Sequence, residues 1–142
     1  MAAMIVNLQR KVALKTSDFA AFANDLDRTL DEITGKDFAV AFVSDPRMKQ
    51  LNSFFRGTDS TTDVLSFPHE PGEFDADTDK LGDIVISAEQ AARQAKENGL
   101  TLENEIKQLI LHGLLHLSGY DHETDSGEMN RRELQLRQKL KI

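Results

Sequence analysis

The chain has 142 residues, no cysteine and a formal net charge of −7, with 39% hydrophobic and 29% charged residues. This length predicts a single domain over residues 1–142 with a sizeable core. The lack of cysteine excludes disulfides and thiolate metal ligands, and it is typical of the reducing cytoplasm, where we expect the protein to act. No apolar run approaches the roughly 20 residues of a membrane span, so we expect no membrane association.

The pattern of apolar residues predicts four strands and five helices. In chain order they are strand 4–9, helix 16–33, strand 38–43, helix 45–56, strand 63–67, strand 81–86, and helices 87–98, 101–117 and 126–140. This order predicts an α/β (α+β) fold, with a single mixed four-stranded sheet and helices packed on it. Helix 101–117 carries His112 and His116 four residues apart, and in this spacing it resembles the metal-binding helix of the zincins.

Several helix starts are marked by residues that favour the N-cap position. The predicted caps are Thr16 or Ser17, Asp45 followed by Pro46, Ser87 with Gln90 three residues on, and Thr101. The last helix is amphipathic, and its predicted apolar positions are Met129, Leu134, Leu136 and Leu140.

The negative charge is concentrated in one segment. Residues 57–83 carry eight acidic side chains against Lys80 alone, so the rest of the chain is neutral. Within this segment, residues 68–80 show no periodicity and predict a mobile acidic loop. Because the acidity is local, the net charge does not exclude a nucleic-acid partner.

Three of the four histidines lie close together in the run HGLLHLSGYDH, from His112 to His122. His112 and His116 are four residues apart, so a helix places them about 40° apart on one face. Gly119 is positioned to end the helix in a left-handed conformation, after which His122 can join the pair. Three imidazoles that leave a fourth position open are typical of a catalytic zinc site, and the spacing matches that of metzincin peptidases. We therefore predict one Zn²⁺, although nickel and copper also suit such ligands.

One residue in this run argues against a peptidase. Peptidases with a related helix carry a glutamate after the first histidine, and that glutamate acts as the general base. Here the position is Gly113, which has no side chain to accept a proton. Either another group supplies the base, or the substrate is not a peptide.

Two further residues are candidate catalytic residues. Arg56 lies between a helix end and Gly57, and near a metal its guanidinium would hold a phosphate and stabilise developing charge; the alternative is an ordinary surface arginine. Asp121 could orient an imidazole or accept a proton, or else form only a local turn hydrogen bond. His69 is predicted to be a loop histidine away from the metal.

The sequence closely resembles the YbeY family of bacterial single-domain metal-dependent endoribonucleases. The likeness lies in residues 51–68 (LN…RG…TDVLSFP), 81–87 (LGDIVIS) and 112–122 (HGLLHLSGYDH). The chain departs from the family pattern at Phe55, where tyrosine is frequent, and at Thr58 and Thr61, where lysine and proline are common.

The resemblance implies that His112, His116 and His122 bind zinc and that Arg56 takes part in nuclease activity. It implies hydrolysis of single-stranded RNA during maturation of the 3′ end of 16S rRNA and in late ribosome quality control. The implied partners are the small ribosomal subunit and the GTPase Era. Two alternatives remain: a metal-dependent peptide or small-amide hydrolase, and a non-catalytic ribosome assembly factor with a structural zinc.

Overall fold

The computed structural model describes residues 3–70, 79–121 and 123–142. The strands are β1 (Ala3–Asn7), β2 (Asp37–Val43), β3 (Val64–Pro68) and β4 (Lys80–Ser87). The helices are α1 (Thr16–Thr29), α2 (Asp45–Arg56), α3 (Ala88–Asn98), α4 (Leu102–Leu117) and α5 (Glu128–Leu140), with a short 3-10 helix at Asp31–Ile33.

The four strands form one mixed sheet in the order β1-β2-β4-β3. The pairs β1–β2 and β2–β4 are parallel, whereas β3 lies antiparallel to β4 at the edge of the sheet. The predicted α/β fold with a single mixed four-stranded sheet is therefore confirmed.

The main apolar core lies on one face of this sheet. Alternate residues of the two central strands point to that face, namely Phe38, Val40, Phe42, Ile84 and Ile86. Helices α1 and α4 contribute Leu26, Ile106 and Leu114, each with no exposed surface. Eight of the 16 residues of α4 are buried, so the helix is held firmly against the sheet.

A smaller cluster lies on the opposite face, where it holds α2 on the sheet. Met48 of α2 is fully buried against Val43 and Leu65, and Phe67 and Val85 pack on the same group. Because α2 is anchored in this way, its last turn projects beside β3.

The first helix differs from its prediction at both ends. The residue before it, Lys15, occupies the N-cap position and forms no side-chain cap, so the predicted hydroxyl cap is wrong. The helix ends at Thr29 because Leu30 has an extended backbone, with φ −97° and ψ 109°. The next residues, Asp31–Ile33, form a 3-10 turn instead of continuing the helix.

Two of the predicted caps are confirmed. The Ser87 hydroxyl oxygen accepts a hydrogen bond from the Gln90 backbone N–H at 3.2 Å at the start of α3. The Thr101 hydroxyl oxygen accepts one from the Asn104 backbone N–H at 3.1 Å at the start of α4. Such caps satisfy backbone donors that have no partner within the helix.

The start of α2 differs from the prediction, since Ser44 rather than Asp45 is the N-cap. The Asp45 carboxylate instead accepts hydrogen bonds from the hydroxyls of Ser87 (2.5 Å) and Thr61 (3.1 Å) and from the Arg93 guanidinium. Burial by itself would raise the pKa of Asp45, but these bonds outweigh it and lower the pKa. Asp45 therefore ties α2 to the end of β4 and to the loop before β3.

The predicted acidic loop falls mainly on residues 71–78, which lie outside the described residues. In the part of the chain that is described, no helix is both long and apolar enough to cross a membrane.

Candidate active site

Helix α4 brings two of the predicted metal ligands together. The imidazole rings of His112 and His116 have centroids 4.7 Å apart and an interplanar angle of 76°. This closeness follows from their i, i+4 spacing on the helix. Both rings line a cleft of about 770 Å³ between α2, β3 and the turn after α4.

The chain turns sharply after α4, as predicted. Gly119 has φ +104°, and its N–H donates to the carbonyl of His116 at 3.0 Å. His122 lies outside the described residues, so its place beside His112 stays a prediction. Within residues 3–70, 79–121 and 123–142, no group of three or more His, Cys, Asp or Glu side chains is arranged to hold a metal ion.

A half-buried ion pair holds the residues that lead to His122. The Tyr120 hydroxyl donates to Glu32 Oε2 at 3.2 Å, and Arg132 donates to both oxygens of Glu32 at 2.8 Å. The hydrogen bonds from Arg132 outweigh the effect of burial and lower the pKa of Glu32 to about 2. The turn after α4 is thus braced against both α5 and the 3-10 helix.

This ion pair predicts a specific dependence of stability on pH. Because the pKa of Glu32 falls from the usual 4.5 to about 2, its contribution is complete above pH 4.5 and is lost as the pH falls towards 2. We expect Glu32→Gln to lower the free energy of unfolding by about 1–3 kcal/mol at pH 7, and by much less at pH 2.5. Urea unfolding at both pH values measures this difference.

The control for this prediction is Asp25→Asn, because Asp25 pairs with Arg28 on the surface of α1. Exposed pairs contribute little, so its unfolding curve should match that of the wild type at both pH values. Equal stability of Glu32→Gln and the wild type at pH 7 would contradict the prediction.

Glu133 of α5 orients the first histidine. Its Oε1 lies 2.6 Å from His112 Nδ1, and its Oε2 accepts a hydrogen bond from Arg137 at 2.5 Å. Burial acts to raise the pKa of Glu133, but the hydrogen bond with His112 and the nearby charge of Arg137 outweigh burial and lower the pKa. A carboxylate acceptor requires the proton on Nδ1, so Nε2 is the nitrogen of His112 that would bind a metal.

The sequence reasoning missed Glu133 because it placed the wrong residue on the buried face of α5. Leu134 was predicted to be an apolar contact, yet 53% of its surface is exposed, whereas Glu133 is buried. The spacing contained the signal: Glu133 is four residues after Met129 and three before Leu136, both buried. A glutamate in such a stripe needs a partner, and His112 and Arg137 provide it.

Gly113 faces the sheet and does not line the cleft. A Cβ atom at this position would lie 3.0–3.1 Å from three side-chain atoms of Ile84, which is fully buried on β4. The glutamate that peptidases carry here would have no room. The general base of this site therefore does not come from this position of the helix.

We expect Gly113→Ala to destabilise the protein by up to about 2 kcal/mol. Overpacking against Ile84 costs roughly 1–3 kcal/mol, and the better helix propensity of alanine returns about 1 kcal/mol. Adding Ile84→Val removes the nearest methyl group, so the double variant should be more stable than the sum of the two single changes predicts. Denaturant unfolding of the wild type, the two single variants and the double variant measures this coupling. A Gly113→Ala variant at least as stable as the wild type would contradict the predicted overpacking.

Arg56 lies in the same cleft as the two histidines. It is exposed in the last turn of α2, and the next residue, Gly57, ends the helix with φ +68°. The following loop is fixed by the Asn52 side-chain amide, which donates to the Ser60 carbonyl at 2.9 Å. The two candidate features that the sequence places far apart, the arginine and the histidine pair, thus line one cleft.

The structure also shows where the two remaining candidates, Asp121 and His69, lie. Asp121 lines the cleft, and its Oδ1 accepts a hydrogen bond from the Glu123 N–H at 3.0 Å, which is the local turn bond considered as the alternative. Its catalytic role stays a prediction. His69 lines a different cleft, together with Lys80 and Asp83.

Comparison with known proteins decides the family. The sequence model of the Endoribonuclease YbeY family matches residues 4–141. The chain belongs to the YbeY endoribonuclease family. The resemblance inferred from the three sequence blocks is therefore confirmed.

Curated relatives agree with this assignment. A protein from Nautilia profundicola named Endoribonuclease YbeY is 44% identical over 128 residues, covering 89% of this chain and 88% of that protein. A relative of the same name from Thermodesulfovibrio yellowstonii is 35% identical over 149 aligned positions, covering 96% and 92%. The solution structure of TM1509 from Thermotoga maritima superposes with a TM-score of 0.67 at 27% identity, covering 97% of this chain and 88% of that one.

Proposed function

We propose that the chain is a metal-dependent endoribonuclease that hydrolyses single-stranded RNA in the cleft between α2, β3 and α4. The observation that carries the proposal is that Arg56 lines the same cleft as His112 and His116. Membership of the YbeY endoribonuclease family supports RNA as the substrate.

The side chains at the cleft fit a zinc ion. His112 has its proton fixed on Nδ1 by Glu133, so Nε2 is a neutral donor of the kind that zinc prefers. We propose that His116 and His122 complete a set of three imidazoles. A zinc ion held by them would supply a Lewis acid for a phosphoryl oxygen and would lower the pKa of the attacking water.

The residues of the chain provide the rest of the chemistry. The Arg56 guanidinium binds the non-bridging phosphate oxygens and offsets the negative charge that grows as water attacks phosphorus. Asp121 is the proposed proton acceptor, because it lines the cleft and the buried Gly113 position offers no carboxylate.

We further propose that the biological substrate is the 3′ end of 16S rRNA, cleaved in the cytoplasm during late ribosome maturation and quality control. The small ribosomal subunit and the GTPase Era are the proposed partners. This part of the proposal is supported by the resemblance to the family in residues 51–68, 81–87 and 112–122.

The test is incubation of the purified protein with three substrates: a labelled single-stranded RNA, the same RNA in a duplex, and denatured casein. We expect cleavage of the single strand alone, loss of cleavage with a chelator, and recovery when zinc is added back. Water attack leaves no cyclic phosphate, so a 2′,3′-cyclic phosphate end would exclude the proposed nucleophile.

The same experiment separates the alternatives. Cleavage of casein would favour the peptide or amide hydrolase. No cleavage of any substrate, together with unfolding of His116→Ala, would favour an assembly factor with a structural zinc. A folded and inactive His116→Ala variant is the result that the proposal predicts.

A further inference from the structure

Two consecutive phenylalanines are exposed at the end of α2, immediately before Arg56. Phe54 is 82% exposed and Phe55 is 57% exposed. Both belong to the helix turn that carries the arginine into the cleft. Exposure of two neighbouring large aromatic side chains leaves apolar surface in water unless a partner covers it.

These rings form a continuous series with a third phenylalanine, Phe67 of β3. The ring centroids of Phe54 and Phe55 are 4.8 Å apart, and those of Phe55 and Phe67 are 5.0 Å apart, in edge-to-face contacts. We call Phe54, Phe55 and Phe67 the aromatic ladder. Phe67 packs on the small apolar cluster below α2, so the ladder rests on a fixed base.

The aromatic ladder leads from the candidate active site to the neighbouring surface. Phe55 and Phe67 line the cleft that contains Arg56 and the histidine pair. Phe54 lines an adjacent groove of about 530 Å³ on the outer side of α2, together with Lys49. An RNA strand that passes through the cleft would therefore cross the aromatic ladder where it leaves the cleft.

The charges of the cleft show why aromatic contacts matter here. Among the residues that the structure describes, its walls carry the carboxylates Asp63, Asp121 and Glu123 and one guanidinium, that of Arg56. General attraction for a phosphate backbone is weak in such surroundings. Stacking of a base on an aromatic ring does not depend on the net charge of the cleft, so it would add to the contact that Arg56 makes with the RNA backbone.

We propose that the aromatic ladder is a stacking platform for unpaired bases next to the phosphate that is cleaved. This inference rests on the proposed function and specifies how the site holds its RNA. It gives a physical reason for selecting single strands, because in a duplex the base faces are covered by their neighbours. The ladder positions the substrate and takes no part in bond breaking.

The test compares variants in cleavage of a 12-nucleotide single-stranded RNA. The double variant Phe54→Leu with Phe55→Leu keeps apolar side chains and helix propensity but removes two aromatic faces. We expect its KM to rise by about 10-fold or more with kcat little changed, and the corresponding double tyrosine variant to restore the wild-type KM. Leu134→Ala, which changes an exposed apolar residue on α5, is the matched control with unchanged kinetics.

A spectroscopic signal tests the contact itself. The chain contains one tyrosine and no tryptophan, so Phe54→Trp introduces a single tryptophan whose emission can be excited selectively. Its emission should be quenched by a phosphorothioate single-stranded RNA that resists hydrolysis, whereas the emission of Leu134→Trp should not change.

The possible failures are distinguishable. The stacking platform alone is overturned if the wild type cleaves the RNA, the double leucine variant has the same KM, and the emission of Phe54→Trp is not quenched. A wild-type protein that neither binds nor cleaves the RNA overturns the proposed function and this inference with it.

Discussion

Arg56→Ala is expected to lower kcat for RNA cleavage by about 100- to 1000-fold, as removal of one charge-stabilising donor does in other active sites. The side chain is exposed at the end of α2, so the free energy of unfolding should change by less than about 0.5 kcal/mol. Arg56→Lys should recover only part of the rate, since an ammonium keeps the charge but lacks the planar fork of the guanidinium. Single-turnover kinetics with saturating enzyme measure the effect on the chemical step.

The matched control is Arg47→Ala, an exposed arginine on the same helix whose guanidinium contacts Gln50 outside the cleft. It changes the net charge by the same amount and should leave kcat unaltered. If Arg56→Ala cleaves RNA at the wild-type rate, Arg56 has no catalytic role and the proposed mechanism is wrong.

Glu133→Gln is expected to weaken zinc binding by about 10- to 100-fold, as loss of a carboxylate behind a ligating histidine typically does. The glutamine amide of this variant can donate or accept a hydrogen bond, so it does not require the proton to be on Nδ1 of His112. Nε2 is then no longer held as the nitrogen that binds the metal. Competition with a chromophoric chelator measures the affinity directly, without reference to activity.

The control for this variant is Glu128→Gln, which removes an exposed carboxylate from the same helix. Its zinc affinity should equal that of the wild type. Unfolding of metal-free Glu133→Gln must be measured as well, because Arg137 loses its charged partner. An unchanged zinc affinity in a folded Glu133→Gln protein would show that Glu133 does not orient a ligand.

The parts of this molecule that sequence reasoning predicted are those that depend on local geometry. His112 and His116 lie together because they are four residues apart on one helix. The turn at Gly119 follows from a backbone conformation that glycine adopts readily. The caps at Ser87 and Thr101 are equally local. In each case the determining interaction spans a few residues of chain.

The features that could not be predicted involve contacts between distant parts of the chain. Glu32 and Arg132 are a hundred residues apart, and neither residue type nor spacing indicates that they meet. The contact of Gly113 with Ile84 depends on how closely α4 approaches β4. The position of Arg56 beside the histidines depends on β3 pairing antiparallel to β4 at the sheet edge, and the sequence does not specify that order.

The prediction buried Leu134 whereas the structure buries Glu133, and this error has a different cause. Hydrophobicity alone assigned the leucine to the core, although the spacing from Met129 to Leu136 favours the glutamate. The cost of burying the charge of Glu133 is offset by His112, which lies on another helix, and by Arg137, which lies one turn further along α5. The burial of Glu133 is therefore explained by its two partners, one of which, His112, lines the cleft.

The central claim is that His112, His116 and His122 bind one catalytic metal ion in an RNA-cleaving cleft. The most direct measurement is titration of the metal-free protein with zinc while bound zinc and the rate of single-stranded RNA cleavage are followed in the same sample. We predict a rate that rises in proportion to bound zinc and stops rising at one ion per chain. A full rate in the absence of metal, or one bound ion per chain with no cleavage, would contradict the account.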